Sequence, residues 1–247
     1  MLIMKIIISP AKKMNIKNDD FLSSSNPVFL DKTTILMNWI KGLSKEEKKE
    51  LWKCNDKLLE LNIERFNDMD LYKCLTPAIY SYEGIQYQYM APHVMEYDSL
   101  EYINKNLRIL SAFYGLLSPM DGVVPYRLEM QAKLKGHEDL YTFWGDDIYK
   151  ELTKEDNVIL NLASKEYSKS IEPYLKDTDT FITCIFGEEQ SGKVVQKGTF
   201  AKMARGEMVS YLASINAKSP MDAKGFNRLD FTYRDDLSND KEYVFIR

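Results

Sequence analysis

Histidine and cysteine are scarce in this chain: His93 and His137, and Cys54, Cys74 and Cys184, are all that 247 residues contain. Three cysteines with no C-x-x-C spacing support neither a disulfide framework nor a zinc knuckle. Two histidines without an H-E-x-x-H pair leave a dedicated zinc or haem site short of ligands, so no metal and no cofactor are expected. No G-x-G-x-x-G occurs, and a dinucleotide fold therefore has no fingerprint. No apolar run approaches the roughly 18 residues that mark a membrane-spanning helix. The run at residues 1–8 stops at Ser9-Pro10, and no small-residue cleavage site follows it. It is not a convincing secretion signal, and the expectation is a reduced, soluble, cytoplasmic protein with no membrane partner. Positive charge is also short, with a formal net charge of −4. A protein that coats nucleic acid over its whole surface is normally basic, so any such contact has to be a local basic cleft on an acidic body.

What is present reads as alternating strands and helices without repeats, low-complexity runs or linkers, so one α/β (or α+β) domain over residues 1–247 is the simplest account. Residues 3–8 form a β-branched apolar run, expected to be a strand buried on both faces. Helical patterns cover residues 31–43 and 55–66, and Ser44 with Glu47 has capping-box spacing between them. Thr76-Pro77, and Asp98 with Glu101, resemble further helix starts. Residues 157–162, 180–186, 194–195, 231–233 and 243–246 read as strands, and Ser219-Pro220 as the start of a short helix. Residues 199–216 carry an apolar stripe of Phe200, Ala204, Met208, Tyr211, Leu212 and Ile215 at a helical period. Tyr80, Tyr82, Tyr87 and Tyr89 fall at even spacing on each side of Glu83-Gly84, which suits two short strands around a turn.

Residues 107–130 (LRILSAFYGLLSPMDGVVPYRLEM) stand out. They break at Tyr114-Gly115, Ser118-Pro119 and Asp121-Gly122, yet hold Ser111, Tyr114, Arg127 and Glu129 among apolar neighbours, where polar groups must find partners. Arg127 and Glu129, two apart, share a face if extended, as a substrate-positioning pair or as a structural ion pair. Asn161, Ser164 and Lys169 follow a buried strand, where α/β proteins often place ligand contacts. Two segments are basic and free of acids: residues 1–18 hold Lys5, Lys12, Lys13 and Lys17, and residues 191–206 hold Lys193, Lys197, Lys202 and Arg205. Lys202 and Arg205 share a helix face, together with a mid-helix Gly206 that marks a close approach by a backbone or a ligand. The face suits phosphates, although an ordinary solvated face has the same spacing. Residues 187–194 nearly match a phosphate loop, but Val194 replaces the magnesium-binding hydroxyl, Glu188 and Glu189 would repel phosphates, and β-branched residues follow where a helix is needed. A hairpin turn is the better reading.

Taken together, ISPAKK at residues 8–13, LRILSAFYGLLSPMD at 107–121, PYRLEM at 125–130, LYTFWGD at 140–146, NLASKEYSKSI at 161–171, AKMARGEM at 201–208 and VFIR at 244–247 resemble the bacterial peroxide-stress YaaA family from end to end. The resemblance implies a compact mixed α/β domain, with a central mixed sheet flanked by helices and a positively charged cleft. It also implies a monomer that binds double-stranded DNA without sequence preference, through that cleft and a helix-hairpin-helix-like element. It implies a role in limiting intracellular iron-driven damage during peroxide stress. The sequence shows no cluster of iron ligands, so an iron effect would be indirect or use a site not visible in it. Carried over position by position, the phosphate contacts expected are Lys12, Lys13, Arg127, Lys202 and Arg205. The sequence departs from the family pattern at Ser118 and Met203, where basic residues are usual, and at Gln131, which replaces a glycine. The alternative is an enzyme acting on a nucleotide or a DNA base, glycosylase- or lyase-like, with Ser111, Tyr114, Arg127, Glu129, Asn161 and Lys169 as candidate catalytic groups. That reading requires them to converge in one pocket. A scaffold that binds no nucleic acid is the third possibility.

Overall fold

The apolar run near the N-terminus lies in the middle of the sheet, which is why its described residues, Met4 to Ile8, are all buried. In the computed structural model, which describes residues 4–17 and 22–247, the main sheet comprises β1 (Lys5–Ile8), β2 (Leu107–Ser111), β3 (Gly115–Leu117), β4 (Val158–Asn161), β5 (Thr180–Gln190), β6 (Lys193–Val195), β7 (Thr232–Tyr233) and β8 (Glu242–Ile246). The spatial order is β7-β8-β5-β4-β1-β2-β3, and β6 folds back on β5. β1 pairs in parallel with β2 (Ile6 opposite Leu107) and with β4 (Ile7 opposite Asn161), so both of its edges and both of its faces are covered. β5 and β8 continue the parallel run, while β3, β6 and β7 are antiparallel additions. The sheet is therefore mixed, with helices packed on it, as expected. The first residues of the 3–8 run, and part of the serine-rich loop after residue 17, lie outside the described residues.

Several local signals act as their chemistry dictates. Ser44 and Glu47 close a capping box, with Glu47 N–H donating to Ser44 Oγ (3.2 Å) and Ser44 N–H to Glu47 Oε2 (2.7 Å) at the head of Lys45–Trp52. Asn55 caps Asp56–Asn67 through Leu58 N–H (3.0 Å). The supposed phosphate loop is the β5–β6 hairpin, turning at Ser191 (φ 50°) and Gly192 (φ 74°). At Gly115 (φ 74°), between β2 and β3, a Cβ would lie 2.7 Å from the buried Trp144 ring, so only glycine fits.

Two expectations fail, and a third is displaced by one residue. The Tyr80–Tyr89 stretch is not a strand pair: Ala78–Ser81 and Ile85–Met90 are short helices, with a two-residue strand, Tyr82–Glu83, between them. Their apolar sides pack on helix Gly198–Ser214 and the core, and that tertiary contact overrides the aromatic alternation. Asp98 does not cap the next helix. Tyr97–Asn106 starts one residue earlier with no side-chain cap, and Glu101 instead accepts the Tyr97 hydroxyl (2.7 Å). Thr76-Pro77 does precede a helix start, but Pro77 is the N-cap of the single turn Ala78–Ser81 and not its first residue, and the dipeptide also bridges to Gly122–Val123.

Candidate functional site

Chain direction places the site. From β1 the chain crosses to β2 on one side, and later returns to place β4 on the other, so the carboxyl ends of β1 and β4 part and leave a crevice, the usual ligand position in such sheets. A cleft of about 410 Å³ opens there, bordered by Ser9, Lys12, Tyr126, Arg127, Ser164, Lys202 and their neighbours. Ser9, just past β1, ties the two strand ends together. Its hydroxyl accepts Ser164 N–H (2.8 Å) and lies 3.2 Å from Ser164 Oγ, while Leu162 N–H donates to Ile7 C=O (2.9 Å).

The wall is aromatic. Tyr87, Tyr126 and Tyr167 line the cleft, and the Tyr87 hydroxyl donates to Ser9 C=O (3.1 Å). Behind Tyr126 runs a buried hydroxyl chain, with Ser111 Oγ 2.7 Å and Tyr82 OH 2.9 Å from the Tyr126 hydroxyl. Burial pushes Tyr126 up to about 12, so the chain stays neutral at physiological pH.

The charges come from distant parts of the sequence. Lys12 and Lys13 follow β1, Arg127 lies on the extended segment after Gly122–Val123, and Lys202 and Arg205 lie one turn apart on Gly198–Ser214; all five line the cleft. Lys12 pairs with Glu129 Oε2 (2.9 Å), Arg127 with Glu129 Oε1 (3.4 Å), and Lys13 with Glu83 (2.6 Å). Among the described residues, Lys202 and Arg205 have no carboxylate partner. Burial lowers the Arg205 guanidinium from its ordinary value, but it remains charged at any physiological pH. Against these five cations stand Glu83, Glu129 and Glu166, so the cleft is net positive in an acidic molecule. Glu166 is half-buried, and burial, with the charge of Glu129, raises its carboxyl above the ordinary value although Gln131 N–H donates to it (3.3 Å).

The sequence candidates divide. Lys12, Lys13, Arg127, Glu129, Lys202 and Arg205 converge as expected. Ser111 is structural, accepting Phe113 N–H (3.2 Å) and Tyr114 N–H (2.9 Å) and touching the cleft only through Tyr126. Tyr114 is buried and its hydroxyl accepts Val124 N–H (3.1 Å). Asn161 shapes the turn into the cleft, accepting Ala163 N–H (2.9 Å) and donating to Thr183 Oγ1 (3.1 Å), and Lys169 is exposed away from it. The remaining cations of the acid-free segments go elsewhere: Lys5 is buried beside Glu155 (3.3 Å), and Lys197 pairs with Glu188 (2.6 Å). Gly206 does mark a close approach, by the backbone of Gln86, but it faces the protein and not solvent. Gln86, Tyr126, Tyr167, Ser9 and Glu166 were not named as site residues. Ser9, Tyr126, Glu166 and Tyr167 lie inside the segments ISPAKK, PYRLEM and NLASKEYSKSI, whereas Gln86 carries no sequence signal. Among the described residues, no three His, Cys, Asp or Glu side chains are grouped to hold a metal ion, and no helix is long and apolar enough to cross a membrane.

The class follows from comparison with known sequences. The family model described as "Peroxide stress protein YaaA" matches residues 4–237, and the chain belongs to that family. Among its curated relatives, a UPF0246 protein of Agathobacter rectalis is 54% identical over 246 residues, covering 99% of each chain. UPF0246 proteins of Lachnoclostridium phytofermentans and Desulfitobacterium hafniense are 54% and 55% identical over 247 residues, 99% of this chain and 96% and 98% of theirs.

Proposed function

We propose that this chain binds double-stranded DNA, without reading its sequence, by neutralising backbone phosphates in the cleft at the ends of β1 and β4, and so helps limit iron-driven damage under peroxide stress. One observation carries the reading. Cations far apart in the chain gather in one concave surface of a molecule whose net charge is −4, and two of them, Lys202 and Arg205, have no counter-charge among the described residues. Lys45–Trp52 and Asp56–Asn67, successive helices joined by three residues that begin with Lys53 (φ 43°), are one pair that a helix-hairpin-helix contact could use. Phosphate contacts release counterions, so the binding constant should fall with salt at a log–log slope of about −0.9 per contact. Replacing Lys202 and Arg205 with Ala should flatten that slope by roughly two contacts' worth. A gel-shift or anisotropy titration at several salt concentrations measures it, and salt-independent binding, or none at low salt, removes the reading.

A second reading draws on one specific feature. Glu129 and Glu166 share the cleft, and burial raises the Glu166 carboxyl, which suits it to hold a proton. In that case the protein processes a nucleotide or a base. Product release from nucleotides or base-damaged duplex, lost in Glu166→Gln, is the corresponding assay.

A further inference from the structure

The buried N–H groups of the cleft say more than its net charge does. Three of them have no hydrogen-bond partner in the protein: Gln86 Nε2, Arg127 Nε and Arg205 Nε. All three side chains line the cleft, and they come from three separate elements: helix Ile85–Met90, the extended segment at residues 124–129, and helix Gly198–Ser214. Gln86 is only 7% exposed. Arg205 makes no hydrogen bond or ion pair among the described residues. Buried donors left unpaired cost free energy and are rare in native proteins, so a cluster of them in one cleft calls for an acceptor from outside.

The fold brings two of these donors together deliberately. Gly206, next to Arg205, has no side chain, and a Cβ there would overlap the Gln86 carbonyl oxygen and stand 2.8 Å from Met90 N. Glycine in mid-helix is unfavourable by about 1 kcal/mol against alanine, and its gain here is the contact that sets Gln86 beside the Arg205 turn.

We propose that the cleft recognises a terminal phosphomonoester: the phosphorylated end of a DNA strand, or a mononucleotide, in preference to the phosphodiesters of an uninterrupted strand. The inference rests on the reading above only in taking the cleft for a phosphate site. A phosphodiester has one charge and two free oxygens. A phosphomonoester has three strong acceptor oxygens and a charge of about −1.5 to −2 at neutral pH. Three unpaired donors, two of them on guanidinium groups and flanked by the unpaired ammonium of Lys202, match the monoester in both oxygens and charge. The size agrees. A 410 Å³ recess lies in the range of small-ligand pockets, enough for about one nucleotide. Tyr87, Tyr126 and Tyr167 give the sugar and base an aromatic wall.

The test is equilibrium binding to one short duplex made in three forms: hydroxyl ends only, 5′-phosphate, and 3′-phosphate. A closed circular duplex, which has no ends, serves as the comparison, and deoxyadenosine monophosphate as a competitor. One of the two phosphorylated forms is expected to bind about tenfold more tightly than the hydroxyl form, with the form that gains naming the end. The gain should vanish in Gln86→Met, which keeps the shape without the donor. It should also vanish in Arg205→Lys, which keeps the charge without the guanidinium fork. Equal affinity of all three forms in the unaltered protein overturns the inference, and salt-sensitive binding to the circle then leaves the DNA reading standing. Binding of the mononucleotide with none to any duplex supports the inference and removes the DNA reading. No binding to any of these probes overturns both.

Discussion

Glu166 lies half-buried, with the Gln131 amide donating to it and the charge of Glu129 close by. Burial is the larger cause of its raised carboxyl. Its folded-state value stands above the unfolded one, so it takes up its proton more readily in the native protein. The stability this adds is present below the ordinary glutamate range and is lost as pH rises through the raised value. The same protonation removes a negative charge from the cleft. Anion binding should therefore tighten as pH falls through that window, and Glu166→Gln should bind more tightly at neutral pH and lose this part of the pH dependence, as titrations of both proteins against one phosphorylated oligonucleotide would show. Ser111 is the contrasting case. Its hydroxyl satisfies two backbone N–H groups and the Tyr126 hydroxyl in the core, so Ser111→Ala should destabilise by about 1–3 kcal/mol in denaturant unfolding. Phosphate binding should survive. Loss of binding with unchanged stability would return Ser111 to the candidate chemistry.

Among the elements, the crossing of Ile85–Met90 over Gly198–Ser214 determines the most. Gly206→Ala gains about 1 kcal/mol of helix propensity but forces two backbones apart, and overpacking of this kind costs about 1–3 kcal/mol or more. A lowered melting temperature together with weakened anion binding is expected, because Gln86 and Arg205 separate with the helices. A stabilised variant would show that the crossing yields easily. This crossing also explains what could be read from the chain beforehand. β1 was legible because a strand covered on both faces must be mostly apolar, and Ser44 and Ser191-Gly192 were legible because caps and turns are local chemistry. The Tyr80–Tyr89 stretch was not. A six-residue helix has too few residues for its period to outweigh an aromatic alternation, and its partner lies more than a hundred positions away.

Over the whole molecule, ligand and fold are coupled, because the cleft joins the ends of β1 and β4 to the 124–129 segment and the Gly198–Ser214 helix. A ligand held at about a hundred times its dissociation constant adds roughly 2.7 kcal/mol. For a chain of this size that is a rise in melting temperature of about 5–11 °C. Calorimetry with and without a phosphorylated oligonucleotide should show the rise, and the Lys202→Ala, Arg205→Ala double variant should not. Four of the five cations of the cleft were legible in two acid-free runs and Arg127 in the 107–130 segment, but the carboxylate partners Glu83 and Glu129 are some 70 and 117 positions away from Lys13 and Lys12, and pairing over such separations leaves no trace in a linear pattern. Tyr126 and Ser9 lie inside the segments PYRLEM and ISPAKK, but their place in the cleft depends on the order of strands, which no linear motif records. That order has a consequence for how a guest is received. The base of the recess is made of the most enclosed strands, fastened to each other by the Ser9 hydroxyl, so it has nothing to rearrange. Recognition should proceed on a preset base, with the strands of the empty and occupied protein superimposing there, while side chains above it, the outer lysines 12, 13 and 202 among them, change rotamer.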